Sequence, residues 1–254
     1  MIFPLHSSIR TCPGPICAKS IALITHARSL KPPANREDGT DLGSSRAFII
    51  TLLIWAIPTI LAIVFHEVMH GMVALAFGDE TAARAGRLTF NPLHHIDPVG
   101  TIGLPALLLF LNLPVFGYAK PVPVDFRRLN PRRFGMVAVA AAGPLTNFAL
   151  AAASAIAFKL ASTLSLSGIT AYILPRLLEI SVAVNVMLGV FNMLPLLPLD
   201  GGRVLAGLLP AALAHEYAKL ERFGFLLLLL LLNTRWFETM INPIIGAVMR
   251  LLME

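Results

Sequence analysis

The residues with the clearest chemical meaning form the run from His66 to His70, which reads HEVMH. Positions i and i+4 of an α-helix lie on the same face, so His66 and His70 can direct their rings toward one metal ion. Zinc accepts imidazole nitrogen, and a catalytic zinc site keeps three protein ligands and one open position for water. Glu67 can take the proton of that water, because the metal lowers the pKa of the water to about 7. The pattern therefore predicts metal-assisted hydrolysis.

A pattern as short as HExxH also arises by chance on helices. In this chain it lies near the end of an uncharged, apolar stretch that starts at Ala47. Ionisable side chains within a membrane span are costly, and those that occur usually face the protein interior and carry function. This setting favours a functional site over a coincidence.

The best candidate for a third metal ligand is Asp200. It follows an apolar stretch directly and is the only acidic residue between Glu179 and Glu216. Two prolines interrupt the helix before it, and non-helical backbone at membrane depth is tolerated only inside protein or along a wet cavity. A helix-capping aspartate at the membrane surface is the alternative, but that role would not require two prolines before it and two glycines after it. We therefore predict Zn²⁺ bound by Asp200 and the two histidines.

Membrane helices must position these residues. The chain has 254 residues, of which 56% are hydrophobic and 13% charged, and its mean hydropathy is +0.76. A soluble domain of this size would need more charge on its surface. The uncharged stretches are close to the roughly 20 residues of a membrane-crossing helix and lack a polar face at period 3.6. We predict an all-α, polytopic integral membrane protein: a helical bundle with a three-span catalytic core. The predicted spans cover residues 47–75, 135–158, 180–199 and 223–249.

The formal net charge of +6 does not predict a nucleic-acid partner. Basic loops orient membrane proteins by the positive-inside rule, and no nucleic-acid motif is present. Residues 1–45 form a basic, proline-containing tail, which is consistent with a targeting peptide, a disordered segment or a misplaced start codon. Cys12 and Cys17 lie in this tail without neighbours that complete a zinc set. We assign the tail no catalytic role and place the membrane-embedded domain at residues 46–254.

The stretch 99–119 is predicted to re-enter the membrane rather than cross it. His70 and Asp200 each lie toward the C-terminal end of a span, so a shared metal ion requires two parallel spans with an odd number of crossings between them. Two apolar stretches, 99–119 and 135–158, lie between these two spans, so one of them must not cross. The stretch 99–119 contains prolines that leave helical pieces too short for the roughly 30 Å core. The basic loops then lie on the side of the active site. The positive-inside rule predicts that this side faces the cytoplasm, in the cell membrane of a prokaryote.

Three motifs resemble those of the site-2 protease family of intramembrane zinc metalloproteases. They are HEVMH, AGPLTN from Ala142 to Asn147, and NMLPLLPLDGGRVL from Asn192. The resemblance covers residues 47–203 and is closest to the short, compact subgroup without an extra binding domain. It implies peptide-bond hydrolysis in a water-accessible cavity within the membrane, with membrane-spanning proteins in the lipid bilayer as substrates.

The resemblance also implies roles for individual residues. Zinc would be bound by His66, His70 and Asp200, and Glu67 would be the catalytic acid/base. Asn147 and Asn192 match motif positions near the family's active site, where they would contact substrate or the catalytic water. Some members of the short subgroup have the run NPLxHIDP, which is present here as NPLHHIDP. We expect His95 in this run to shape the substrate entrance rather than bind zinc.

Two other functions remain open at this point. A zinc protease of another class would use a glutamate as the third ligand, but no glutamate follows a span as Asp200 does. A membrane transporter, or a zinc-binding regulator without turnover, would also carry broken helices and polar residues at depth. Glu67 favours the protease, because a site that only binds or transports zinc does not need a general base beside its ligands.

Overall fold

The computed structural model describes residues 41–110, 119–232 and 234–254. Within these ranges the chain is helical and contains no strand, so the predicted all-α class is confirmed. Most of the predicted N-terminal tail and part of the predicted hairpin lie outside the described residues. A 3₁₀ turn covers Pro92–His95 and a π-helical turn covers Pro98–Gly103. The α-helices are α1 (Asp41–Ala76), α2 (Thr81–Arg84), α3 (Leu104–Phe110), α4 (Arg132–Thr163), α5 (Gly168–Asn192), α6 (Asp200–Leu208), α7 (Ala211–Ala218), α8 (Glu221–Leu232) and α9 (Arg235–Met253).

Three helices are long and apolar enough to cross a membrane. They comprise Ile49–Ala76 of α1, the whole of α4 and the whole of α5. Large apolar side chains such as Leu52, Leu53 and Ile57 are exposed along α1, as expected of a surface that contacts lipid. The described part of the chain thus fits a helical membrane protein, with three helices able to cross.

The third span differs in its bounds from the expected 180–199. Helix α5 begins at Gly168 and therefore includes Arg176 and Glu179, the charged residues that lie just before the uncharged stretch in the sequence. These two side chains lie one helical turn apart and form an ion pair of 3.2 Å, so the helix tolerates both. The helix ends at Asn192, ahead of the two prolines that precede Asp200.

The expected span 223–249 is divided into α8 and α9. Helix α8 has 12 residues and is therefore about 18 Å long, well short of the roughly 30 Å hydrocarbon core. Helix α9 packs against α5 and α4, and Leu228 of α8 and Ile241 of α9 join the same buried apolar cluster. Neither helix is among the three long spans.

Hydrogen bonds show that α1 and α4 are antiparallel. The backbone N–H of Asn130, just before α4, donates to the carbonyl of Phe77, just after α1, at 2.9 Å. Further along α4, the side chain of Asn147 donates to the carbonyl of Ala62 at 3.2 Å. The two helices therefore run in opposite directions, and the segment between them starts and finishes at the same end of the bundle. We call this end, where α1 finishes and α4 begins, the site end.

Helix α5 runs antiparallel to α4 and hence parallel to α1. Asn147 of α4 is hydrogen-bonded to Asn185 of α5 at 2.9 Å, and Ser154, later in α4, contacts Ser181, earlier in α5, at 2.8 Å. The C-terminal ends of α1 and α5 consequently lie together at the site end. This is the parallel relation that a metal ion shared between these two ends requires.

Small residues allow α4 to lie between its neighbours. Its buried positions include Ala140, Gly143, Ala151 and Ala155. Apolar side chains gain little by leaving lipid for another helix, so helices in membranes associate through close packing and interhelical hydrogen bonds. The small side chains of α4 let α1 and α5 approach closely enough for such hydrogen bonds to form.

Asp79 ties the loop after α1 to the loop before α4. Its side chain is fully buried and accepts hydrogen bonds from the backbone N–H of Thr81 at 3.0 Å and of Asp125 at 2.7 Å. The Thr81 hydroxyl donates to the same carboxylate. Burial raises the pKa of a carboxyl group, but these donors outweigh it and hold the pKa of Asp79 below its ordinary value.

We expect Asp79→Asn to destabilise the protein by about 1–3 kcal/mol at neutral pH, because an amide donor replaces one acceptor beside buried donors. The pKa of Asp79 is lower in the folded than in the unfolded protein. Its contribution is therefore complete above the unfolded value of about 3.9 and is lost as the pH falls further. Thermal unfolding in detergent should show a wild-type advantage at pH 7 that shrinks below about pH 4. The exposed Glu80→Gln is the control, with a shift below about 0.5 kcal/mol. An advantage that does not depend on pH would contradict this role of the carboxylate.

Candidate metal and catalytic site

Three side-chain atoms from two helices converge at the site end. Nε2 of His66 and Nε2 of His70 lie 3.0 Å apart. Oδ2 of Asp200 lies 3.1 Å from the first nitrogen and 3.3 Å from the second. The His66 side chain is buried and the other two are mostly buried. Residues predicted from two distant motifs thus form one compact triangle.

The triangle has the dimensions of a tetrahedral zinc site. Zinc–ligand distances of about 2.0–2.2 Å place neighbouring ligands about 3.3 Å apart, close to the three separations observed. The donor set, two imidazoles and one carboxylate, is one that zinc accepts in catalytic sites. Three protein ligands leave the fourth position for water. The residues therefore fit a catalytic zinc ion.

The hydrogen bonds on the far side of each imidazole indicate which nitrogen carries a proton. Nδ1 of His70 lies 2.6 Å from the backbone carbonyl of Val139, which can only accept, so this nitrogen must donate. Nδ1 of His66 lies 2.6 Å from Oδ1 of Asn147 and donates in the same way. In the neutral imidazole form, both Nε2 atoms are then unprotonated acceptors that face the Asp200 carboxylate. Three acceptors at this distance repel one another unless a cation lies between them, which again fits a metal ion.

The turn before α6 delivers Asp200 to the histidines. Asp200 is the first residue of α6, and the chain between α5 and α6 forms a turn that contains two prolines. A Cβ atom on Gly202 would lie 2.5 Å from the backbone nitrogen of Leu197 and 2.6 Å from the backbone carbon of Leu196. Only a residue without a side chain allows this turn of helix to lie against the chain that precedes it. The glycines after Asp200 therefore position the carboxylate.

Glu67 is held beside the metal ligands by the loop that precedes α4. Its Oε2 accepts a hydrogen bond of 2.9 Å from the backbone N–H of Val122. The loop is in turn held by Arg87, whose side chain is buried and donates to the carbonyl of Lys120 at 2.8 Å. The N–H of Lys120 donates to the carbonyl of His95 at 2.9 Å. An extended backbone segment thus lies across the carboxylate predicted to act as the base.

A cavity of about 380 Å³ opens onto the three ligands and Glu67. Asn192, predicted to contact substrate or water, lines it, and its Nδ2 donates to the carbonyl of Leu188 at 3.0 Å. Arg203 also lines it, three residues after Asp200 on the same face of α6, with its guanidinium 5.2 Å from the centre of the Phe126 ring. The wall combines charged groups and apolar side chains, as a site for a peptide requires.

Two other predicted residues lie away from the cavity wall. Asn147 is fully buried behind His66, and its amide is occupied by His66, the carbonyl of Ala62 and Asn185. His95 is buried in the loop before α3, where its Nε2 is 2.8 Å from the carbonyl of Thr89. The structure thus places the first against a metal ligand and the second beneath the loop that contacts Glu67.

Several features of the site could not be predicted from the types of the residues involved. The carbonyl of Val139 and the N–H of Val122 act through the backbone, so any residue at those positions could supply them. Gly143 and Arg203 stood inside the recognised motifs, but their proximity to the ligands depends on how α4 and α6 pack. Asn185 is a polar residue in an apolar stretch, which was the one available signal for it.

Comparison with known proteins identifies related chains. The model of peptidase family M50 matches residues 159–232. The protein named as zinc metalloprotease YwhC in Bacillus subtilis is 35% identical over 193 residues, which are 75% of this chain and 85% of the relative. The protein named as zinc metalloprotease Rip2 in Mycolicibacterium smegmatis is 28% identical over 255 residues, 93% of this chain and 87% of the relative. No solved structure matches the chain at a significant level.

We expect Gly143→Ala to abolish zinc binding at this site. The added methyl group would lie 2.6 and 2.7 Å from Cε1 and Nε2 of His66 and would also contact Nε2 of His70, so it would displace both rings. Zinc content of the purified protein, measured by elemental analysis, should fall from about one ion per chain to near zero. Gly135→Ala, on the same helix but against Leu129 and Phe77, is the control and should retain the metal. A full complement of zinc in Gly143→Ala would contradict the site.

Proposed function

We propose that this chain cuts membrane-spanning proteins within the bilayer. The chain belongs to peptidase family M50, the site-2 protease family of zinc metalloproteases. The observation that supports this proposal most is the position of the two histidine ligands on a helix that can cross a membrane. His70 lies six residues before the end of α1 and His66 ten, so their rings are about 9–15 Å from the end of the span. Peptide bonds cut at this depth belong to chains that enter the membrane.

The residues around the triangle can perform hydrolysis in an ordered way. Zinc, when bound, acts as a Lewis acid toward the substrate carbonyl and lowers the pKa of a coordinated water. Glu67 then accepts the proton of the attacking water and returns it to the amine that leaves. The N–H of Val122 keeps the Glu67 carboxylate at the cavity, and Asn192 and Arg203 offer donors to the substrate from the cavity wall.

We further propose that residues 99–119 re-enter the membrane beside the site. The hydrogen bond between Asn130 and Phe77 supports this, because the segment between α1 and α4 begins and ends at the same end of the bundle. Within that segment the described chain passes through a π-helical turn, Pro98–Gly103, before helix α3, which interrupts the regular α-helical hydrogen bonding of the apolar stretch.

We propose the cell membrane as the location, with the site end toward the cytoplasm. The helix ends and loops at the site end carry nine of the chain's 20 basic side chains, whereas the connection between α4 and α5 at the opposite end is flanked by Lys159 and Arg176. Cytoplasmic loops carry an excess of such residues. The basic residues at the site end are Arg84, Arg87, Lys120, Arg127, Arg128, Arg132, Arg133, Arg203 and Lys219.

A membrane transporter or a zinc-binding regulator would also have a buried ligand set. Glu67 counts against both, because its carboxylate lies beside the ligands and is held at the cavity by Val122. Zinc flux in proteoliposomes would favour transport, whereas cleavage that depends on Glu67 favours the protease.

We expect Glu67→Gln to keep its zinc and its thermal stability and to lose proteolysis by about 10²–10⁴-fold, the usual contribution of a general base. The measurement is co-expression with single-span membrane proteins, with cleavage products identified by proteomics in cells that carry the wild type or the variant. Glu80→Gln serves as the matched control, since this exposed acid lies at the same end outside the cavity. Wild-type cleavage by Glu67→Gln would remove Glu67 from the mechanism.

A further inference from the structure

We propose that Asn185 positions the zinc ligand His66 by fixing the orientation of the Asn147 amide. The inference rests on the proposed metal site and adds a residue of α5 to it. Asn147 and Asn185 are 0% and 2% exposed and lie where α1, α4 and α5 meet. Neither side chain lines the cavity, so neither is available to substrate there.

The direction of each hydrogen bond follows from one backbone carbonyl. Nδ2 of Asn185 lies 2.9 Å from the carbonyl of Ser181, which can only accept, so the amide nitrogen of Asn185 must face it. The oxygen of Asn185 then faces Asn147, whose Nδ2 donates to it at 2.9 Å. The oxygen of Asn147 is thereby turned toward Nδ1 of His66, 2.6 Å away.

The consequence reaches the metal ligand. An amide oxygen is an acceptor only, so Nδ1 of His66 must carry the proton and Nε2 must present its lone pair. With the Asn147 amide reversed, an N–H group would face Nδ1 and favour the proton on Nε2, where it would block the metal. Partners of this kind on ligating histidines typically change metal affinity by about 10–100-fold.

The two histidines differ in how this orientation is supplied. His70 is oriented by the backbone carbonyl of Val139, which has a fixed polarity. His66 is oriented by a side-chain amide, which has a donor at one end and an acceptor at the other and can rotate. The Ala62 carbonyl accepts a second hydrogen bond from Asn147 at 3.2 Å, longer than the 2.9 Å bond to Asn185. Asn185 therefore shares this task with Ala62, which limits the expected effect of removing it.

A purely structural role for this pair would be interhelical adhesion. Hydrogen bonds between polar side chains stabilise the association of membrane helices. Such a role affects stability but has no reason to make the effect of one asparagine on zinc binding depend on the other. The dependence between the two residues therefore separates adhesion from positioning.

The test is a double-mutant cycle on zinc affinity, measured by competition with a chromophoric chelator in detergent. Near-isosteric apolar substitutions are used: Asn147→Leu, Asn185→Leu and the double variant. We expect the zinc Kd to rise about 10–100-fold in Asn147→Leu and about 3–10-fold in Asn185→Leu. The double variant should match Asn147→Leu, because Asn185 acts only through Asn147. Val186→Ala, next to Asn185 and fully buried in the apolar core, controls for loss of packing and should leave the Kd within about 2-fold.

The outcomes separate this inference from the proposed function. If the wild type binds no zinc, the proposed metal site fails. If the wild type binds zinc but Asn185→Leu leaves the Kd unchanged, or the two effects multiply in the double variant, the positioning role of Asn185 is wrong and the metal site stands. Should Asn185→Leu not fold, Asn185→Ser replaces it, and an unchanged Kd in the folded Asn185→Ser would equally overturn the role.

Discussion

Three electron-pair donors held about 3 Å apart are the constraint on which the rest of the structure depends. Two imidazole nitrogens and a carboxylate oxygen lie at separations that fit a shared metal ion, and each has a rigid element behind it. His66 and His70 are one turn apart on α1, so helical geometry alone brings them together. Asp200 comes from more than a hundred residues further along, and its arrival requires α5 to be parallel to α1.

The central helix α4 meets that requirement in two ways. It reverses the chain between α1 and α5, so that the C-terminal ends of α1 and α5 lie together. Its small residues also let the backbone come within contact distance of the ligands: the Val139 carbonyl binds His70, and Gly143 leaves room for both rings. A helix with larger side chains at these positions would hold the same topology but would fill the space in which a metal must bind.

Several polar groups that are buried among the described residues are directed at the site. A buried amide costs several kcal/mol in an apolar medium unless it is hydrogen-bonded, and Asn147 and Asn185 satisfy each other, a ligand and two backbone carbonyls. The loop that contacts Glu67 is likewise secured by Arg87 and by the backbone of His95. Hydrogen bonds of fixed polarity thus orient both the metal ligands and the base, which a purely apolar core could not do.

The sequence by itself determined the chemistry and the class of fold. The HEVMH motif predicts the positions of two ligands, because helical periodicity places His66 and His70 on one face. Long uncharged stretches identify membrane helices, because burying a charged side chain in lipid is costly. Asp200 could also be predicted as a metal ligand from the sequence, because an isolated acidic residue directly after a broken span is costly unless it binds a cation. These inferences depend on local spacing or on composition, both of which can be read along the chain.

Tertiary structure decided everything that depends on the meeting of distant segments. Asn147 was recognised by its motif, but only packing shows that it supports His66 from behind, while Asn192 lies on the cavity wall. Packing likewise decided the ends of α5, the division of residues 223–249 into two helices, and the contact of Val122 with Glu67. These features depend on an ion pair, a turn and a backbone hydrogen bond, none of which leaves a periodic pattern in the sequence. The physical reason is that backbone groups and amide orientations carry no residue signature: their roles are set by what lies opposite them.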